Sequence, residues 1–207
     1  MRLFERPIAT AKLIGGRLCL DFVNTCGGRA EDGQVIGDRL LEFADLAAWG
    51  LRTGLETGPG VLRLAANDPD EAVKVHERAV VLREACYRLL RGVIDKKTPA
   101  ASEVAVLNQE WLEAMRHRTL SAGPPYLELK WNPGDHRMDR SLWAVAESAA
   151  QLLSSPDTSR LRVCGGADCG WLFEDVSRNH SRQWCDMQMC GNLTKVRRFR
   201  ERKTKEG

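Results

Sequence analysis

The chain has 207 residues, of which 43% are hydrophobic and 29% charged, and its formal net charge is +3. These proportions are typical of a globular protein and exclude a disordered chain. No uncharged apolar run approaches the ~18 residues that a membrane-spanning helix needs, and Glu5 and Arg6 stand where a signal peptide would be apolar. We therefore expect a folded cytoplasmic protein with one domain of ordinary size, or one domain plus a small module.

The first third of the chain mixes strand-like and helix-like patterns. Apolar residues alternate with other side chains over 12–25, after a pair of glycines, which predicts a half-buried strand. The glycine-rich segment 26–33 predicts a turn. Apolar side chains then recur at helical spacing over 36–51, and Gly54 is a suitable residue to end that helix.

The middle of the chain is predominantly helical in its pattern. Asp68 and Pro69 are a capping residue and a first-turn proline, so a helix is predicted from Pro69 to about Ile94. The later pattern predicts a helix opening at Thr98-Pro99 and broken at 121–125, a strand over 126–131 and a helix over 139–153.

Residues 154–157, with the sequence SSPD, are the best candidate for a linker. They divide the chain into a predicted domain 1–155 and a predicted module 156–207. We expect domain 1–155 to be α+β, mainly helical with a small β-sheet, and to sense a ligand or mediate assembly.

The cysteines indicate a metal site in the C-terminal module. There are seven, an odd number that argues against a complete disulfide framework. Cys164, Cys169, Cys185 and Cys190 have the spacing C-x4-C-x15-C-x4-C. Two cysteine pairs joined by a linker are typical of a four-thiolate zinc site, and four thiolates leave no open position for catalysis. We predict one structural Zn²⁺ in a treble-clef-like finger, made of a knuckle, a short strand or hairpin and a helix.

Positive charge is concentrated after the last cysteine. Leu193 to Gly207 holds seven Lys or Arg against two Glu, whereas residues 1–160 hold 21 basic and 22 acidic side chains. This concentration of charge indicates a helix that binds a polyanion. The alternatives are a solvated charged terminus, or cations that offset the negative charge of the four thiolates. We expect Val196 and Phe199 to face the zinc module. The candidate nucleic-acid contacts are Arg178, Arg182, Lys195, Arg197, Arg198, Arg200 and Arg202.

The C-terminal module resembles the CGNR zinc finger family. The matching positions are Phe173, Asp175, Ser177, Arg178, Asn179, Ser181, Arg182, Trp184, Met187, Gly191 and Asn192, together with the four cysteines. The final Arg of that motif is replaced by Leu193. The N-terminal part is similar to the ABATE domain through residues 18–25, Asp38, Leu40 and Trp49. The resemblance implies a bacterial, stress-induced transcription regulator with a DNA-binding finger and no enzymatic activity.

The residues leave several alternatives open. The finger is compatible with RNA or a protein partner, and the N-terminal domain with a metabolite-binding or enzymatic role. Asp21, Asn24 and Thr25 are candidates to line a ligand pocket, although such residues more often cap turns through their own backbone. A homodimer is a further hypothesis, because one finger offers little surface for specificity. We also expect zinc removal to unfold the finger and leave the helical domain intact.

Overall fold

The structure is a computed structural model that describes residues 7–56, 58–132 and 137–206, without the side chains of residues 198, 201, 202 and 204–206. The helices are α1 (Leu18–Val23), α2 (Phe43–Thr53), α3 (Gly60–Asn67), α4 (Pro69–Ile94), α5 (Ala101–Arg116), α6 (Arg140–Leu153) and α7 (Asn192–Glu206). The strands are β1 (Cys26–Arg29), β2 (Val35–Asp38), β3 (Arg118–Ala122), β4 (Leu127–Trp131), β5 (Leu161–Val163) and β6 (Leu172–Glu174).

The strands of the described ranges form separate antiparallel ribbons: β1 with β2, β3 with β4, and β5 with β6. Gly28 pairs with Ile36 in the first ribbon, and Val163 pairs with Leu172 in the third. The expected fold class is confirmed, since the protein is mainly helical with small sheets and ends in a four-cysteine finger.

The main core lies between the helices. Helix α4 packs against α1, α2, α5 and α6, and α5 also packs along α6. Phe22, Trp49, Leu82 and Leu142 are completely or almost completely buried there. Removal of such apolar area from water is the dominant stabilising contribution in a domain of this size.

Several predicted elements are confirmed. The Asp68 side chain accepts a hydrogen bond from the Glu71 N–H at 3.1 Å, and α4 runs from Pro69 to Ile94 as its capping signals indicated. Helix α6 and strand β4 lie within about a residue of their predicted bounds. Gly54 ends α2 with a φ of 76°, a left-handed conformation that costs glycine little.

The predicted strand over 12–25 is wrong, because residues 18–23 form helix α1. Cys19, Leu20, Phe22 and Val23 are all fully buried, so this apolar run has no solvent face to fix a strand period. Gly15 allows the preceding chain to pass close beneath the helix, since a Cβ there would lie 2.6 Å from that of Leu20. A short run buried on both sides satisfies either period, and only packing decides between them.

The two following predictions also need correction. Residues 26–33, expected to be a turn, contain strand β1 and the connection to β2. The helix predicted from residue 36 begins at Phe43, because residues 35–38 pair with β1 instead. Tertiary pairing has overridden the local periodicity in this segment.

The candidate linker is part of the packed structure. Pro156–Arg160 forms a 3₁₀ turn in which the Ser155 hydroxyl accepts from the Asp157 N–H. Leu161 and Leu172, which follow this turn, belong to the same buried cluster as the helices. The division at 155/156 therefore stays a prediction about sequence organisation, while the two parts share a core. No helix within the described ranges combines the length and apolarity needed to cross a membrane.

Candidate metal centre and basic helix

The four predicted zinc ligands lie together. Their sulfur atoms are all within 4.8 Å of one another, and all four side chains are buried. The Cys185 Sγ lies 3.7 Å from the Cys169 Sγ and 3.6 Å from the Cys190 Sγ. Sulfurs at ~2.3 Å from a tetrahedral zinc are about 3.8 Å apart, so the cluster fits one zinc ion. Four thiolates fill the coordination sphere, and the site is structural.

The first cysteine pair forms the turn of the β5–β6 ribbon. The Cys164 N–H donates to the Trp171 carbonyl at 2.8 Å, which closes this turn. The N–H groups of Gly166 and Cys185 donate to the Cys164 Sγ at 3.4 and 3.2 Å. Such bonds orient a thiolate and disperse its charge. A Cβ at Gly166 would lie 3.2 Å from the Cys190 Sγ, so glycine keeps the two knuckles close.

The second pair comes from the segment that leads into α7. Asp186 begins a single π-helical turn over Met187–Gly191, and its Oδ1 accepts from the N–H groups of Gln188 and Met189 at 2.8 and 3.2 Å. This turn places Cys190 opposite the first knuckle. The order of knuckle, ribbon and helix matches the predicted treble-clef-like arrangement.

A buried carboxylate organises the loop between β6 and the second pair. The Oδ1 of Asp175 accepts from the Ser177 N–H at 3.0 Å and from the Ser177 hydroxyl at 2.6 Å, and its Oδ2 accepts from the Arg182 N–H at 2.9 Å. These bonds, above all that from the Ser177 hydroxyl, lower the pKa of Asp175. Asp175 and Ser177 therefore shape the finger, and Asn179 is exposed at the loop surface.

The finger is hydrogen-bonded directly to the N-terminal domain. The Asn24 amide donates to the Leu172 carbonyl at 2.8 Å and accepts from the Leu172 N–H at 3.0 Å. The Arg29 N–H donates to the Cys169 carbonyl at 3.0 Å, and the Trp171 indole donates to the Cys26 carbonyl at 3.1 Å. Sequence reasoning missed this interface, because its partners are more than a hundred residues apart and have no shared motif.

Ion pairs reinforce the same contact. The Arg17 guanidinium bonds Glu174 of β6 at 2.7 Å, and Lys12 bonds Asp186 at the start of the π-helical turn. Glu174 is 4% exposed, so its charge is compensated in a largely dehydrated position. The zinc-binding segment is thus held to the helical domain at both cysteine pairs.

The three residues predicted to line a pocket all make hydrogen bonds with the backbone. Asp21 accepts from the Gly15 N–H at 2.8 Å, and the Thr25 hydroxyl donates to the Phe22 carbonyl at 2.7 Å. Asn24 binds Leu172 as described above. Asp21 and Thr25 therefore make the local contacts of the turn-capping alternative, whereas Asn24 bonds a strand that is distant in the sequence. The ligand pocket stays a prediction. Burial raises the pKa of Asp21 to about 6.

Helix α7 is anchored to the zinc module at its first turn. The Thr194 hydroxyl donates to the carbonyl of the ligand Cys190 at 2.8 Å, and the Asn192 amide donates to the Gln188 carbonyl at 3.1 Å. The exposed side chains described beyond this turn are Lys195, Val196, Arg197, Phe199, Arg200 and Lys203. Val196 is 47% and Phe199 60% exposed, so the expectation that they face the zinc module is wrong.

The predicted nucleic-acid residues fall into separate groups. Lys195, Arg197 and Arg200 share α7, whereas Arg178 is exposed on the Asp175 loop. Arg182 is engaged within the finger: its Nε donates to the Trp184 carbonyl at 2.9 Å, and its guanidinium lies 4.3 Å from the centre of the Phe173 ring. The side chains of Arg198 and Arg202 lie outside the described part of the chain.

This fold and site define a zinc-finger protein in which a four-thiolate module is joined to a mainly helical domain. Residues 16–156 match the family model described as "ABATE: Putative stress-induced transcription regulator", and residues 160–203 match the CGNR zinc finger. The first match spans more than half of the chain, so the chain belongs to the ABATE family and carries a CGNR zinc finger. No curated protein matches the chain. Leu193, at the position of the final Arg of the CGNR motif, is 65% exposed.

Proposed function

We propose that this protein is a bacterial, cytoplasmic transcription regulator that binds duplex DNA through α7 and the zinc finger. The observation that carries the proposal is the position of α7: a cationic, solvent-exposed helix begins immediately after the fourth zinc ligand. The family description as a transcription regulator supports the same function.

The geometry suits contact with a polyanion. A helix of 15 residues extends about 22 Å, which is long enough to lie along a major groove. Lysine and arginine side chains neutralise phosphates and release counterions, and arginine also forms paired hydrogen bonds with guanine. Because Cys190 and Thr194 fix the first turn, the direction of the helix is set before DNA is bound.

Within this proposal, zinc supplies shape and the N-terminal domain supplies regulation. Four thiolates hold the ion without an open position, so its contribution is to place α7. The helical domain would sense a signal or mediate assembly, and the contacts of Asn24, Arg29 and Trp171 would connect it to the finger.

The test is binding of zinc-loaded protein to labelled duplex DNA across a salt series. If four to six cations meet phosphates, log K should fall against log salt with a slope of about −4 to −5. The triple change Lys195→Gln, Arg197→Gln and Arg200→Gln should reduce that slope by about 3. A wild-type slope in this variant would contradict the role of α7.

A matched control removes the same charge elsewhere. Lys74, Lys97 and Arg116 lie on the helical domain, with side chains 68%, 73% and 75% exposed. Their replacement by glutamine changes the net charge equally and should leave the slope unchanged. Equal losses in both variants would indicate binding by overall charge rather than by the helix.

The same titration separates the alternative functions. Tighter binding to single-stranded RNA than to duplex DNA of equal length would assign the finger to RNA. Absence of binding to either, even at low salt, would favour a protein-docking finger attached to a metabolite-binding or enzymatic domain.

A further inference from the structure

The β3–β4 ribbon carries an exposed apolar face. Leu120 and Leu129 are directly opposite each other and are 66% and 50% exposed, and Leu127 of the same face is 66% exposed. This ribbon has two strands in the described part of the chain, so the outer edge of β4 has no strand beside it there. Open edges with apolar side chains are templates for pairing with another chain.

The hydrogen bonds show which groups face that open edge. The Asn132 N–H donates to the His117 carbonyl at 2.9 Å, and the Gly123 N–H donates to the Tyr126 carbonyl at 3.1 Å. In an antiparallel pair, hydrogen-bonded positions alternate along each strand. Lys130 and Glu128 therefore bond towards β3, and Leu127, Leu129 and Trp131 direct their N–H and C=O groups outward.

The sequence of β4 is complementary to itself about Leu129. When the strand is paired antiparallel with its own copy at that residue, Glu128 faces Lys130 of the copy, and Lys130 faces Glu128. Leu129 meets its equivalent, and Leu127 meets Trp131. Opposite charges and apolar pairs at directly opposed positions stabilise a sheet. The outward-facing residues are also those that would become hydrogen-bonded in this register.

We propose that β4 is the dimer interface, where a second copy of this chain adds antiparallel to form a four-stranded sheet. The two-fold axis passes through Leu129, as a closed symmetric dimer requires. A side-chain bond of 3.3 Å from the Arg118 guanidinium to the Leu129 carbonyl is released in the process. Arg118 keeps its ion pair with Glu147 and its position over the Trp131 ring.

This inference does not rest on DNA binding, although a dimer would bring two α7 helices into one molecule. The tests use sedimentation of the zinc-loaded protein across a concentration series without DNA. The wild-type protein should show a reversible monomer–dimer equilibrium. A monomer at every concentration would overturn the proposal.

Charge variants test the register. Glu128→Lys leaves only lysines at the two facing positions, and Lys130→Glu leaves only glutamates. Each variant alone should therefore dimerise about tenfold more weakly than the wild type, or worse. A mixture of the two variants restores opposite charges at both positions, so it should form a heterodimer of near wild-type strength. Failure of the mixture to associate would refute this pairing.

Two further variants serve as controls. The double change Glu128→Lys and Lys130→Glu preserves complementarity and should dimerise like the wild type. Lys74→Glu makes the same change of charge as Lys130→Glu on the exposed surface of α4, outside the ribbon, and should leave the dimer unchanged. A dimer that survives both single β4 variants but is lost in Lys74→Glu would place the interface elsewhere and overturn the proposal.

Discussion

Replacement of Asn24 by alanine tests whether the finger and the helical domain fold as one unit. The Asn24 amide satisfies both the N–H and the C=O of Leu172, at 3.0 and 2.8 Å, in a position where Asn24 is 4% exposed. Alanine would leave two buried backbone groups without this partner, each at a cost of ~1–3 kcal/mol. The variant no longer has to bury the polar amide, and this offsets part of the cost. We therefore expect the free energy of unfolding to fall by about 2 to 4 kcal/mol.

The assay is urea unfolding of the zinc-loaded protein followed by circular dichroism. The urea midpoint should fall, while the slope of the unfolding free energy against urea concentration (the m value) should stay the same. The substitution changes stability and not the surface exposed on unfolding. Zinc should also be lost more readily to a competing chelator, because Leu172 begins β6, three residues after the ligand Cys169.

Asn192→Ala is the matched control for this prediction. Asn192 is exposed and donates a single hydrogen bond, to the Gln188 carbonyl at 3.1 Å. Its replacement should change the stability by no more than ~0.5 kcal/mol. If Asn24→Ala unfolds at the wild-type midpoint, the amide does not hold the finger to the domain, and the reasoning is refuted.

Three further predictions follow from the same contacts. Chelation of zinc should lower the thermal midpoint of the helices seen by circular dichroism, since the two parts share a core; an unchanged midpoint would restore the expectation of an independent helical domain. Native Asp21 keeps its proton to about pH 6 and the unfolded chain to only ~4, so stability is lost as pH rises between these values. Asp21→Asn should therefore be about 3 kcal/mol more stable than the wild type at pH 7. If the two proteins lose stability in parallel between about pH 4 and pH 7, this pKa is contradicted. Gly170→Ala should cost at least about 1 kcal/mol more than Gly54→Ala. Both glycines have positive φ, but a Cβ at Gly170 would lie 2.8 Å from that of Arg29, whereas one at Gly54 meets nothing within 4 Å.

The sequence alone predicted the zinc site well, because cysteine spacing carries chemical information that does not depend on the rest of the fold. Two pairs with the same short internal spacing define a tetrahedral thiolate site wherever the chain places them. The helix from Pro69 was predicted for a similar reason. Its capping residue, first-turn proline and long apolar period act locally and agree with one another.

The sequence was less informative for residues 18–38, where local signals conflict with packing. Cys19, Leu20, Phe22 and Val23 are buried on every side, so their spacing fits a strand as well as a helix. Their conformation depends on α4 and α6, which are distant in sequence. The β1–β2 ribbon depends in the same way on the finger, through the hydrogen bond from Arg29 to Cys169.

The sequence by itself determined the zinc ligands, the main helices and the basic character of α7, since each follows from residue type and local spacing. Only the tertiary structure decided that Asn24 is a structural contact and that Arg182 stabilises the finger. It also decided that the finger shares a core with the helical domain. These properties arise between residues far apart in the chain, where burial and unsatisfied backbone groups select the partner and no sequence motif records the choice.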